Sequence, residues 1–164
     1  MNATTAVVAG GLALALGVPG AMALRKERTI AEGTPVLLRL APVDPRSLIQ
    51  GDYMRLDYAI ARETEHAPPV PRDGCMVVAL DGSGVARFVR YHDPAHDPGP
   101  GERLLRIRRR GGRLSVGPDA FFFQEGAADL YRDAVFGELR VDEDGGAVLV
   151  GLRDANLLRL GPNR

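Results

Sequence analysis

Lysine is all but missing from this chain: Lys26 is the only one among 164 residues, so any chemistry that needs a lysine base has a single candidate. Cysteine is as scarce. Cys75 stands alone, which excludes an intrachain disulfide and any CxxC metal or redox pair, and it reads as a small core residue. Net charge is also absent. The 21 basic residues are matched by 21 acidic ones, so no strongly basic or acidic partner is implied. No stretch repeats at solenoid length. What is left, at this length, is one domain with enough mass to bury its own core.

Charge is missing locally as well. Residues 6–24, "AVVAGGLALALGVPGAMAL", carry no ionisable side chain over 19 residues, about the length that spans a bilayer core. No polar face interrupts the run, as it would in a helix of a soluble core. The segment is therefore expected to be an N-terminal transmembrane helix, with residues 1–28 as anchor and flank and 29–164 as a single β-rich domain. Gly and Pro at 17–20 are tolerable in such a helix. "AMA" at 21–23 has the look of a signal-peptidase site, but no basic stretch precedes the apolar run, which argues against a cleaved signal. Arg25, Lys26 and Arg28 follow the run, and charge alone would hold them, and the domain, on the cytoplasmic side.

Beyond residue 30, short apolar stretches alternate with period two and are broken about every ten residues by Gly, Pro and Asp. Val36, Leu38 and Leu40 alternate with Leu37 and Arg39. Met54, Leu56, Tyr58 and Ile60 alternate with Tyr53, Arg55 and Asp57. Both stretches predict strands with one apolar face. Three hairpins are expected: residues 76–91 around "DGSG" with Phe88 inward, "LLRIRRR" with "RLSV" around Gly111 and Gly112, and "FGELRV" with "AVLVGL" around "DEDGG". In "QEGAADLYRDA" the spacing of Ala127, Leu130, Tyr131 and Ala134 predicts one short helix. Residues 67–74 and 93–101 read as surface loops. The fold expected is mainly β, an antiparallel barrel-like or sandwich domain with that helix over one opening.

The densest chemistry lies in "PVDPRSLIQGDYMRLDY", residues 42–58. Prolines fix two φ angles, Asp44 can accept backbone amides, Gly51 permits a conformation barred to other residues, and Asp52 can meet Arg46. A membrane anchor, a β-rich body and a Pro-to-Gly-Asp loop are also features of signal peptidases. Aligned on Pro45, however, Pro42 stands where that family's serine nucleophile would be, and Lys26 lies on the wrong side of the motif to serve as its base. Ser47 has no evident activating partner.

The octet "GDYMRLDY" at 51–58 resembles a different family, the GDYXXLXY-motif membrane-anchored proteins of bacteria, at all five specified positions: Gly51, Asp52, Tyr53, Leu56 and Tyr58. "PVDPRSL", "FFFQEGAADLY" and "GELRVDEDGGAVLVGLRD" are similar to that family's other blocks, so the likeness covers most of the chain beyond the anchor. The resemblance implies one N-terminal membrane segment and a domain outside the cytoplasm, and it carries no catalytic residues. It outweighs the flanking charges, and the domain is expected to be periplasmic at the inner membrane. A start placed too far downstream would remove a basic stretch and give this apparent reversal.

Parity divides the octet. Tyr53 and Tyr58 point to opposite faces; Leu56 and Tyr58 read as core, whereas Tyr53, Arg55 and Asp57 share the face where, with Asp52 and Arg46, a ligand or partner would bind. Glu125 reads as a helix-end or arginine partner, or alternatively as a ligand anchor. Glu138 and Arg140 share a strand face and are expected to pair across strands. His92, Asp93, His96 and Asp97 offer metal-ligand chemistry, but Pro94 and Pro98 exclude the helix that would bring the histidines together, and no metal site or cofactor is predicted. His66 reads as exposed. Arg106, Arg108, Arg109, Arg110 and Arg113 read as a solvated hairpin tip. From residue 29 on the balance is 18 − 20 = −2, and no aromatic residue interleaves the arginines, which argues against nucleic acid.

The function expected is a membrane-anchored, extracytoplasmic binding or assembly module beside an integral-membrane protein partner. The partner-binding candidates are Asp44, Arg46, Gly51, Asp52, Tyr53, Arg55, Leu56, Tyr58 and Glu125. Two alternatives stand beside it: a hydrolase or lyase using Asp52 and Glu125, and a small-ligand sensor with a cavity on the Tyr53 face.

Overall fold

The computed structural model describes residues 3–41, 49–50, 53–64, 73–110 and 112–162. Helix α1 (Ala3–Glu32) leads into β1 (Thr34–Arg39), followed by β2 (Ile49–Gln50), β3 (Tyr53–Arg55), helix α2 (Ala59–Thr64), β4 (Asp73–Leu80) and β5 (Ala86–Tyr91). Then come β6 (Glu102–Arg110), β7 (Arg113–Val116), β8 (Ala120–Phe122), a 3-10 turn (Ala128–Tyr131), β9 (Phe136–Val141), β10 (Ala147–Arg153) and β11 (Arg159–Leu160).

The strands form two four-stranded antiparallel sheets, ordered β1-β9-β10-β11 and β5-β4-β6-β7, and a smaller sheet ordered β2-β3-β8. The larger two curl toward each other as half-barrels. They are stitched on one side where the Leu37 amide donates to the Gly84 carbonyl at 2.9 Å, and on the other where the Arg106 amide donates to the Gly145 carbonyl at 2.8 Å. Gly145, at φ 79°, has room for nothing larger: a Cβ there would lie 3.0 Å from the Arg106 nitrogen. Between the sheets Leu38, Met76, Leu105, Ile107, Leu139 and Leu152 are fully buried, each stabilising the fold by roughly 1.5–3 kcal/mol relative to exposure.

All three expected hairpins form, as β4–β5, β6–β7 and β9–β10. Local chemistry explains the first. The Asp81 carboxylate accepts the Ser83 and Val85 amides at 2.9 and 3.1 Å, and Gly84 takes the positive φ of 80° that closes the turn. Phe88 packs against the core beside Tyr91, as its parity predicted. Those two amides, with the Arg87 guanidinium adding less, hold the Asp81 carboxyl below its ordinary value. A depressed value means that the turn's contribution is complete above the unfolded carboxylate value, ~3.9, and is lost as pH falls through the folded one. The thermal midpoint of Asp81→Ala should therefore trail the parent near neutrality and converge with it in strong acid; a deficit independent of pH would refute the carboxylate account.

Several expectations are corrected. The strand predicted through Ile60 stops at Arg55, and Ile60, Ala61 and Thr64 bury one face of α2 instead. The expected helix at 124–134 is a single 3-10 turn that buries Tyr131 and leaves Leu130 53% exposed. Leu37 is buried like its neighbours Val36 and Leu38, because the residue before β5 bridges it on the other side. Cys75 is half-buried on β4 rather than in the core, with its thiol 3.7 Å from the Asp144 carbonyl, and burial pushes that thiol up from its ordinary value. Within the expected loop at 67–74, Asp73 and Gly74 open β4, and the remainder lies outside the described residues. His66 also lies outside them.

Helix α1 continues past the uncharged run to Glu32, and its end is clamped to the body. The Thr29 hydroxyl is buried between the Arg25 carbonyl at 3.0 Å and the Asp142 carboxylate at 3.3 Å, and Arg140 donates to the Gly33 carbonyl at 3.2 Å. N-terminal to this clamp Leu12, Leu14, Leu16 and Leu24 are each at least 60% exposed. No helix among the described residues is long and apolar enough to cross a membrane.

Candidate functional site

The second half of the octet is built into the core. Leu56 and Tyr58 are 4% and 3% exposed. The Leu56 amide donates to the Asp119 carbonyl at 2.8 Å, and the Tyr58 hydroxyl donates to the Pro118 carbonyl at 2.9 Å. The Tyr58 ring lies over Gly137 so closely that a Cβ there would be 3.2 Å from its edge. Burial first, and the nearby Asp119 carboxylate second, push the phenol well above its ordinary value, so it stays protonated and a donor. Between these two side chains Asp57 faces outward and takes a two-pronged hydrogen bond from Arg62 of α2, at 2.9 and 2.6 Å.

On the opposite parity, Tyr53 stands across from Phe122 of β8 with ring centroids 5.7 Å apart, and Arg55 is exposed. Phe122 itself is 67% exposed, so these rings form an aromatic patch on the surface of the small sheet. Next to it lies a cleft of about 470 Å³. Its walls are residues 55–58 of the octet, Ala61 and Arg62 of α2, all four residues of β7, and Asp119. Arg55 and Arg113 have no ion-pair partner among the described residues, whereas Asp57 is already matched by Arg62. Ser115 is the one hydroxyl on β7, and among the described residues no histidine or lysine lines the cleft to activate it. Guanidinium donors, one carboxylate with no ion-pair partner among the described residues, and an apolar floor suit the holding of a polar or anionic ligand.

A family model described as GDYXXLXY protein matches residues 15–152. The chain belongs to the GDYXXLXY family. No curated protein and no solved structure matches it.

In this GDYXXLXY chain the named positions separate into roles. Leu56 and the second tyrosine, Tyr58, brace the body; the first tyrosine, Tyr53, is half-buried at the surface patch. Gly51 and Asp52 lie outside the described residues, as do Asp44 and Arg46, and with them the expected Arg46–Asp52 pair and any convergence of Asp52 with Glu125. Glu125 is exposed on a turn, begins no α-helix and has no ion-pair partner among the described residues. Glu138 pairs across strands with Arg153 at 3.0 and 3.1 Å, while Arg140 is engaged with Gly33. In the His-Asp-Pro loop, His96 pairs with Asp93 at 3.1 Å, and that contact joins two neighbours of one exposed turn. Of the arginine-rich hairpin, Arg106, Arg108, Arg109 and Arg113 are exposed, with Arg106 donating to the Asp144 carbonyl at 3.2 Å and Arg109 to the Gly112 carbonyl at 3.3 Å.

Sequence reasoning singled out Arg55 and Asp57, which line the cleft, and Tyr53, which stands beside Phe122; it did not name Arg62, Ser115 or Asp119. Arg62 carried no readable signal, since its five-residue separation from Asp57 is neither the three nor the four that brings side chains together on a helix. Asp119 carried none either. A larger hollow of about 830 Å³ lies away from the octet, at the α1 clamp, where Arg25, Arg28 and Arg103 mix with Glu32, Glu102 and Asp142.

Proposed function

We propose that this protein is a membrane-anchored, extracytoplasmic binding module that acts beside an integral-membrane partner, with α1 as the tether and the octet face as the docking side. The observation that carries the reading is the continuity of α1: an uncharged run with outward-facing leucines passes without a break into a clamp at Thr29 and Gly33. A long apolar surface in water needs a cover, and a hydrocarbon layer provides one for side chains on every side of a helix. The clamp supports a body held at a fixed attitude to its tether, which suits a protein that must present one face to a neighbour in the same membrane.

The octet supports the same reading. Its core half fixes the local backbone through Leu56 and Tyr58, and its surface half presents Tyr53 and Arg55, residue types common where proteins meet. A photoreactive residue at position 55, irradiated in living cells, should give an adduct with an integral-membrane protein, and replacing Tyr53 and Asp52 by small neutral residues should weaken that capture while the body stays folded. A topology reporter fused after Arg164 should be active only outside the cytoplasm. Activity confined to the cytoplasm would remove the extracytoplasmic placement, and an adduct pattern unchanged by the octet substitutions would remove the docking side.

A further inference from the structure

Strand β7 ends its sheet. It pairs with β6 through Arg108↔Ser115 and Arg110↔Arg113, and beyond that ladder no backbone group of residues 113–116 is hydrogen-bonded among the described residues. An unpaired strand edge is a template for another strand. Here the edge is not open to all comers, because all four of its residues line the 470 Å³ cleft beside the octet. Leu114 and Val116 point into the core and fix the strand, leaving Arg113 and Ser115 on the outer face.

From this we propose that the cleft receives an extended acidic segment of a protein partner, which adds to β7 as a further antiparallel or parallel strand and sets alternate carboxylates against Arg55 and Arg113. The proposal rests on the reading of the chain as a binding module and names what that module takes. Three observations favour this occupant. Asp57 is neutralised by the Arg62 fork, so the balance of Arg55, Arg62 and Arg113 against Asp57 and Asp119 is positive. Arg55 and Arg113 have no ion-pair partner among the described residues, so an incoming carboxylate displaces none. A second copy of β7 is a poor occupant, because the strand, Arg-Leu-Ser-Val, would bring another guanidinium and no carboxylate to the cleft. Strand addition supplies affinity through the main chain and specificity through alternate side chains, and the cleft offers both kinds of contact.

The test uses the full chain in nanodiscs of zwitterionic lipid and a fluorescein-labelled peptide of alternating glutamate and threonine, read by anisotropy. Saturable binding is expected, absent for the same peptide with lysine in place of glutamate. Arg55→Gln and Arg113→Gln should each weaken it about tenfold, the scale of a lost charge-assisted contact. Both side chains are exposed, and unchanged melting curves will show that the variants fold. Methylating every second amide of the peptide should abolish binding in one register and spare it in the other. Failure of the acidic peptide to bind, equal binding of the lysine peptide, indifference to either arginine, or indifference to methylation in both registers would each overturn the proposal. Cross-linking to a membrane protein from position 55, together with any of those failures, would leave the module reading standing and remove only the acidic strand.

Discussion

Tyr58→Ala should cost about 3–5 kcal/mol of stability, the range for deleting a buried ring and leaving its cavity, whereas Tyr58→Phe should cost about 1–3 kcal/mol by stranding one buried acceptor. The difference follows from two separate jobs. The ring fills the space over Gly137 that no other residue can enter, and the hydroxyl satisfies the Pro118 carbonyl where the chain turns from β7 toward β8. Denaturant midpoints of the full chain in detergent, for both variants, would measure the two contributions. Tyr53→Ala provides the contrast. Its ring contacts the exposed Phe122, and such a pair contributes about 0.5–1.5 kcal/mol beyond its area. If Tyr53→Ala proved as damaging as Tyr58→Ala, the division of the octet into a bracing half and a presenting half would be wrong.

That division was legible in strand parity alone, because alternation depends only on the pleat and holds even though β3 is three residues long. The hairpins were legible for a similar reason: Asp81 with Gly84, and Asp142 with Gly145, carry their turn chemistry within a few residues. Helix α2 was not. Tyr58 and Ile60 are two apart, a spacing that fits a strand continuing or a helix beginning, and six residues give too little pattern to choose. The 3-10 turn failed in the opposite way, since spacing of three and four at 127–134 suggested an α-helix, but the backbone there bonds from Leu130 back to Ala127 and from Ala134 back to Tyr131. The cleft was half legible: residues 55 and 57 announce themselves, while Arg113 and Asp119 reach it only through the pairing of β6 with β7 and of β3 with β8.

The same limit explains why the partner of Glu138 could not be read from the chain. A bulge between Leu149 and Gly151 inserts one residue into β10 opposite β9. Without it Leu152 would fall opposite Phe136, on the face that carries Glu138; with it Leu152 lies opposite Gly137 and is fully buried in the core, and Arg153 takes the Phe136 position beside Glu138. One extra residue thus fills the core and aims a guanidinium at a carboxylate that is only 9% exposed.

Removing that guanidinium should have the second large effect. In Arg153→Met the Glu138 carboxylate would keep its buried place without a cation, a change that typically costs about 3–5 kcal/mol. Arg153 also donates to the Leu157 carbonyl at 2.7 Å, across a turn in which Leu157 itself has φ of 63°, so the closing turn before β11 should loosen as well. Charge removal on both sides separates the effects. Glu138→Leu with Arg153→Met leaves no orphaned ion, and since replacing a whole buried pair by apolar groups is often neutral, the double variant should be markedly more stable than Arg153→Met alone. Urea titrations of the parent, the two single variants and the double variant close the cycle. A double variant no better than Arg153→Met would mean that the arginine acts through the Leu157 turn, and that the buried carboxylate was never the reason it is there.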